Sequence, residues 1–190
     1  MNATLLAMAP YATNMIRLDH AHALVTFRQY KTTSKPQIKR GLVNTTCLAL
    51  EVHAQLEEEI FYPALRAVSN HEALEKSVPE HTEMMRLIAL LRGMEPEDPR
   101  YDSTYMELMR DVLHHVADEE TILLPEAERL LKGQLGELGI KMMKRRIELV
   151  VPRTKDIAVN MARAMSGTSM ALLAGAMLGG VFLGKRVMRA

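Results

Sequence analysis

Apolar residues recur at helical spacing through the first 131 residues, and the interruptions of that pattern divide them into four long amphipathic segments. Breaks fall near Ser34-Lys35-Pro36, around Ser69-Asn70, and through Gly93-Met94-Glu95-Pro96-Glu97-Asp98-Pro99, where turn-forming residues cluster. The expected helices are 13–32, 38–67, 71–93 and 101–131. A fifth helical stretch, 134–149, follows Gly133 and is rich in Lys and Arg, and Pro152 ends it. No strand alternation is sustained anywhere, and no Gly-rich phosphate loop follows a strand. Connections this short favour antiparallel neighbours, so the fold class is all-α: an up-down-up-down antiparallel four-helix bundle with a C-terminal helical extension. The expected divisions are a bundle over 13–131, a basic helical connector over 132–155, and an apolar, small-residue-rich helix over 156–190. Pro63 and Pro125 are expected to break or kink the second and fourth helices.

Composition supports the helical reading: 48% of the 190 residues are apolar and only 4% aromatic, with Met, Leu and Ala, all strong helix formers, prominent. The formal net charge of +1 conceals a division. Residues 1–131 carry 13 Lys+Arg against 20 Asp+Glu, whereas 132–190 carry 11 against 3, so an acidic module precedes a basic tail. The basic run Lys141, Lys144, Arg145, Arg146, Arg153 and Lys155 lacks interleaved aromatics for base stacking, and no nucleic-acid partner is expected. Cys47 is the single cysteine, which excludes an intrachain disulfide and a cysteine-built metal site. The N-terminal MNATLLAMAPYATNM has no basic region ahead of its apolar patch, so it does not read as a secretory signal, and a cytoplasmic location is expected.

The histidines carry the chemistry. HAQLEEEIFYP, beginning at His53, and HVADEETILLP, beginning at His115, agree at five of eleven positions, at an offset of 62 residues. Asp19-His20 on the first helix answers Glu80-His81 on the third. Each half therefore has one helix with a lone histidine and one with His-x3-Glu. Residues i and i+4 share a helix face, so His53 with Glu57 and His115 with Glu119 can project together into a bundle core. With His20 and His81 they make six candidate ligands, four imidazoles and two carboxylates. That donor set suits iron, with zinc and manganese as competitors, and not calcium or magnesium. Two ions bridged by the glutamates would keep positions open for a small ligand.

Asp-His, His-x3-Glu-Glu with Phe-Tyr-Pro, Glu-His, and His-x3-Glu-Glu with Pro, taken together, resemble the hemerythrin-like (HHE cation-binding) family over about residues 15–131. The resemblance implies an oxo- or hydroxo-bridged pair of iron ions held by His20, His53, Glu57, His81, His115 and Glu119. It also implies binding of dioxygen or a related diatomic or peroxide ligand, in storage or in oxygen, nitric oxide, redox or iron sensing. Oxygen carriers of this family have His-x3-His on the third helix; here Met85 stands four residues after His81, a departure from the carrier pattern. Two other readings stay open: an enzyme reducing peroxide or nitric oxide with the same six residues, and a helical scaffold or membrane-associated protein with a non-functional metal site.

The remaining residues take plainer readings. His22 and His71 are expected to be solvated, and His114 to be a neighbour of the ligand His115. Glu58, Glu120, Asp19 and Glu80 read as solvated helix face rather than partners of the imidazoles. Met84, Met85, Met106 and Met109 read as core filling, and Cys47 as a buried small hydrophobe. Ser166–Gly184 is uncharged and approaches the length of a membrane span, but only Met170–Leu183 within it is mostly apolar. Its Gly175-x3-Gly179 and Gly180-x3-Gly184 spacings permit close helix approach, so the inner face of a membrane and a second copy of the chain are both candidate partners.

Overall fold

The computed structural model describes residues 10–164. Helix α1 spans Ala12–Gln29; α2 covers 36–66 as Pro36–Leu56, a π-helical turn Glu57–Phe61, and Tyr62–Arg66; α3 spans Glu72–Gly93. Helix α4 covers 101–130 as Tyr101–Asp118, a second π turn Glu119–Leu123, and Leu124–Leu130. Leu135–Val150 forms α5, and a 3-10 turn Val151–Arg153 leads into α6, Thr154–Ala164. No strand occurs among the described residues.

Local chemistry sets the helix starts. Pro36 occupies the first turn of α2, where its missing N–H is not needed. His71, expected to be simply solvated, is exposed but caps α3: its Nδ1 accepts from the Ala73 N–H at 3.1 Å. Pro63 and Pro125 do not end their helices. Each follows a π turn, in which Tyr62 N–H donates to the Glu57 carbonyl and Leu124 N–H to the Glu119 carbonyl. The wider turn shifts the register by one residue just ahead of each proline, so the helix continues past it.

The first four helices form the up-down-up-down bundle, with α1 packed on α2, α3 on α4, and the ring closed by α2 against α3 and α1 against α4. Its interior is two apolar clusters with a polar layer between them. One cluster contains Ile16, Leu56, Phe61, Leu65, Leu74 and Leu123; the other contains Val43, Cys47, Leu87, Leu91, Tyr105 and Leu108. Burying a side chain of this kind stabilises the fold by about 1.5–3 kcal/mol, enough for the clusters to hold polar groups between them out of water. Met84 and Met109 are buried and Met85 is partly so, whereas Met106 is 38% exposed and fills no core. At the far end of the second cluster, buried Lys39 reaches Asp102 at 2.7 and 2.8 Å, and Tyr30 donates to the same carboxylate.

Helices α5 and α6 pack along the outside of the bundle. Leu138, Met142, Val150 and Ile157 join the first apolar cluster. Helix α6 lies against α2 at Gly41, where an added Cβ would come within 2.6 Å of Ala164 N and 2.8 Å of Asn160 O. Beside that approach, Asn44 donates to Asn160 at 3.1 Å. Among the described residues no helix is long and apolar enough to cross a membrane, and Ser166–Gly184 lies outside them.

Candidate metal centre

All six residues picked out by the repeat meet in the polar layer. His20 comes from α1, His53 and Glu57 from α2, His81 from α3, and His115 and Glu119 from α4. Both carboxylates are fully buried and none of the imidazoles is more than 4% exposed. His20, His53, Glu57 and Glu119 form one group of potential ligands and Glu57, His81 and His115 a second, with the donor atoms of each within 4.8 Å of one another. Glu57 Oε2 stands 3.1 Å from His53 Nε2 and 3.5 Å from His81 Nε2. Glu119 Oε2 stands 3.0 Å from His20 Nε2 and 3.4 Å from His115 Nε2. Each carboxylate therefore links one imidazole of the His20/His53 pair to one of the His81/His115 pair.

The outer nitrogens show what the acidic neighbours do. His20 Nδ1 lies 2.8 Å from Glu120, His81 Nδ1 2.8 Å from Glu58, and His115 Nδ1 2.8 Å from Glu80. His53 Nδ1 faces Asp19 at 3.5 Å. The expectation of a solvated helix face for these four acids is therefore corrected: each faces an imidazole on the next helix, three of them at hydrogen-bond distance. The four pairings form a closed circuit, α1 to α2, α2 to α3, α3 to α4, and α4 back to α1. A carboxylate at Nδ1 fixes the proton there and turns the Nε2 lone pair inward. The signal lay in the repeat, since Asp19/Glu80 each precede a lone histidine and Glu58/Glu120 each follow an inward glutamate.

The donor set fits a cation. His81 Nε2 and His115 Nε2 are 3.0 Å apart, close enough for both to face one cation. His53 Nε2 and Glu57 Oε1 are buried without a hydrogen-bond partner among the described residues. Burial and then the charge of Glu119 push the Glu57 carboxyl well above the usual range. Burial opposes ionisation of Glu119 too, but hydrogen bonds from His115 and His20 overcome it and hold that carboxyl well below the usual range. Burial, reinforced by His115, pushes His81 down to about 3. At His115 burial is outweighed by hydrogen bonds to Glu119 and Glu80, which bring it up to about 9. Four inward imidazole nitrogens and two adjacent buried carboxyls are what a multivalent cation stabilises.

One residue at the centre escaped the sequence reading. Tyr62, fully buried, donates to Glu119 Oε1 at 2.9 Å, and its hydroxyl lies 3.2 Å from Glu57 Oε2 and 3.4 Å from His81 Nε2. It sits at the end of the π turn begun by Glu57. His114 is exposed and points away; His22 is half-buried, outside the cluster, with burial holding its pKa down. Beside His20, His53 and His115 lies a cavity of about 10 Å³, walled by Ala23, Leu50, Met84 and Val112 among others. A much wider cleft, about 890 Å³, is lined by residues of α2, α3 and α6 and reaches Glu58.

Comparison with known proteins identifies the family and the fold. A family model described as the hemerythrin HHE cation binding domain matches residues 11–166, which takes in α5 and α6 as well as the bundle. The crystal structure of a hemerythrin HHE cation binding domain-containing protein from Mycobacterium kansasii superposes with a TM-score of 0.64, covering 82% of this chain and 99% of that one. At 18% identity that likeness is one of fold. A protein from Nostoc sp. named DNA nickase is 26% identical over 124 residues, 65% of this chain, which spans only 35% of that relative's length.

Proposed function

The chain belongs to the hemerythrin HHE cation-binding family, and on that premise we propose that it is a non-haem di-iron protein that binds dioxygen or a related diatomic or peroxide ligand. His20, His53, Glu57, His81, His115 and Glu119 would hold the two ions. The observation that carries the reading is the convergence of four Nε2 atoms and two carboxylates, with an acidic side chain facing the outer nitrogen of each imidazole. Such completeness supports a working metal site over a scaffold with a decayed one. Iron supplies one-electron redox chemistry and open positions for a small ligand.

The chain's own residues define what can enter. The apolar cavity beside His20, His53 and His115 has room for about one water-sized molecule, which favours a diatomic ligand over any organic substrate. Tyr62 orients both central carboxylates through its hydroxyl, and the two apolar clusters exclude bulk water from the layer between them. Peroxide or nitric oxide turnover is the enzymatic extension of the same site. It is tested by comparing iron-loaded protein with His53→Ala; equal rates would eliminate it.

A DNA partner, raised by the name of the Nostoc relative, has less behind it. Arg145 pairs with Glu59, Arg146 with Asp19, Lys141 with Glu137 and Arg153 with Glu51, so much of the basic run is engaged within the protein. The deciding experiment is metal content per chain with the ultraviolet–visible spectrum of aerobically purified protein, before and after reduction. Two irons per chain and charge-transfer bands that bleach on reduction are expected. Zinc alone, or no metal after anaerobic iron reconstitution, would overturn the reading.

A further inference from the structure

By donor type the two halves of the centre are alike: two imidazoles each, with Glu57 and Glu119 shared between them. Their surroundings differ. Three of the four imidazoles have a carboxylate 2.8 Å from Nδ1, whereas His53 Nδ1 stands 3.5 Å from Asp19 and has no hydrogen-bond partner among the described residues. The reason comes from outside the bundle. Arg146 on α5 binds Asp19 through Oδ2, the same oxygen that faces His53. Glu80, which takes the place of Asp19 in the other half of the repeat, forms no ion pair with a lysine or arginine among the described residues, and neither does Glu58. Glu120 is held by Arg17 at 3.2 Å, but through Oε2, which leaves Oε1 for His20.

A carboxylate accepting from Nδ1–H makes the far nitrogen a stronger donor, and loss of such a partner typically weakens metal binding by roughly 10–100-fold. Resting on the di-iron reading above, we infer that the two metal positions are unequal, the one at His20 and His53 holding its ion more weakly because Arg146 competes with His53 for Asp19. Arg146 is thus a positioning residue, acting on the centre through Asp19. Because α5 has no counterpart in the duplicated four helices, it breaks the symmetry that the ligands preserve. Depletion then empties one defined position first and leaves a single ion at His81 and His115.

The test is iron release from protein loaded anaerobically with ferrous iron, confirmed at two ions per chain and mixed with excess chelator. Two phases of equal amplitude are expected, the faster by at least about ten-fold. Arg146→Met frees Asp19 to accept from His53 and should slow the fast phase, whereas Asp19→Asn weakens the acceptor and should quicken it. General loosening of the fold would quicken both variants, so the opposite signs isolate the proposed role. Arg145→Met, which removes the neighbouring pair with Glu59, should leave both phases unchanged. A single phase in the parent protein, or an Arg146→Met variant that releases faster, would overturn the inference. Failure to load two irons would instead remove the di-iron reading, and this inference with it.

Discussion

At Tyr62 the duplication of the chain fails, because the matching position in the second half is Leu124. Tyr62 is fully buried, so the bonds of its hydroxyl are not easily exchanged for bulk solvent. Tyr62→Phe should cost the metal-free protein about 1.5–3 kcal/mol, the range for a hydrogen bond to a charged group, read from urea denaturation. No loss would show the hydroxyl to be a bystander. Cys47 makes a different case. It is fully buried, and burial pushes its thiol up to about 12. Alkylation by iodoacetamide at pH 8 should therefore be negligible in the folded protein and complete after denaturation. The linkage has a definite sign. Unfolded thiols ionise near ~8.5, so the contribution of Cys47 to stability is complete below that pH and lost as pH rises toward about 12. Urea midpoints across that window, compared with Cys47→Ala, measure it.

Among the helices, α2 and α4 each change register where they carry the central glutamate. The π turns begin at Glu57 and Glu119 themselves. The following prolines make an uninterrupted α-helix unfavourable, and the wide turn resolves that conflict within a continuous element. Helix α6 is held by close backbone approach to α2 as well as by the buried side chain of Ile157. Only glycine at position 41 leaves room for Asn160 and Ala164. Gly41→Val should displace α6 at a cost of about 1–3 kcal/mol. Hydrogen exchange and limited proteolysis confined to residues 154–164 would report it; unchanged protection there would show that α6 does not depend on this contact.

Over the whole molecule, metal and fold are linked. A cation held by six residues from four helices binds only the folded arrangement and so stabilises it, and chelation should lower the melting temperature by several degrees. Calorimetry with and without chelator checks this, and an unchanged transition would favour the scaffold reading. The tail is tested by cutting after Ala164, since an earlier cut would also remove packed residues such as Ile157. If Ser166–Gly184 anchors the chain, the truncated protein should move from the membrane fraction to the soluble fraction. An identical distribution of both forms would remove the anchor.

The all-helical class, the helix order and the six convergent residues were legible in the sequence, because helical periodicity is local and the His-x3-Glu spacing occurs twice. Local signals also reached the prolines, though not the π turns that accommodate them, since register depends on what the rest of the helix packs against. The pairing of Asp19 with His53, Glu58 with His81, Glu80 with His115 and Glu120 with His20 was decided only by tertiary structure. Each of these contacts crosses from one helix to the next, and no pattern along one helix states which neighbour its acidic face will meet. The same holds for Arg146. The sequence shows it as one cation in a basic run, and only the packing of α5 on the bundle brings it to Asp19, where it makes two chemically matched halves unequal.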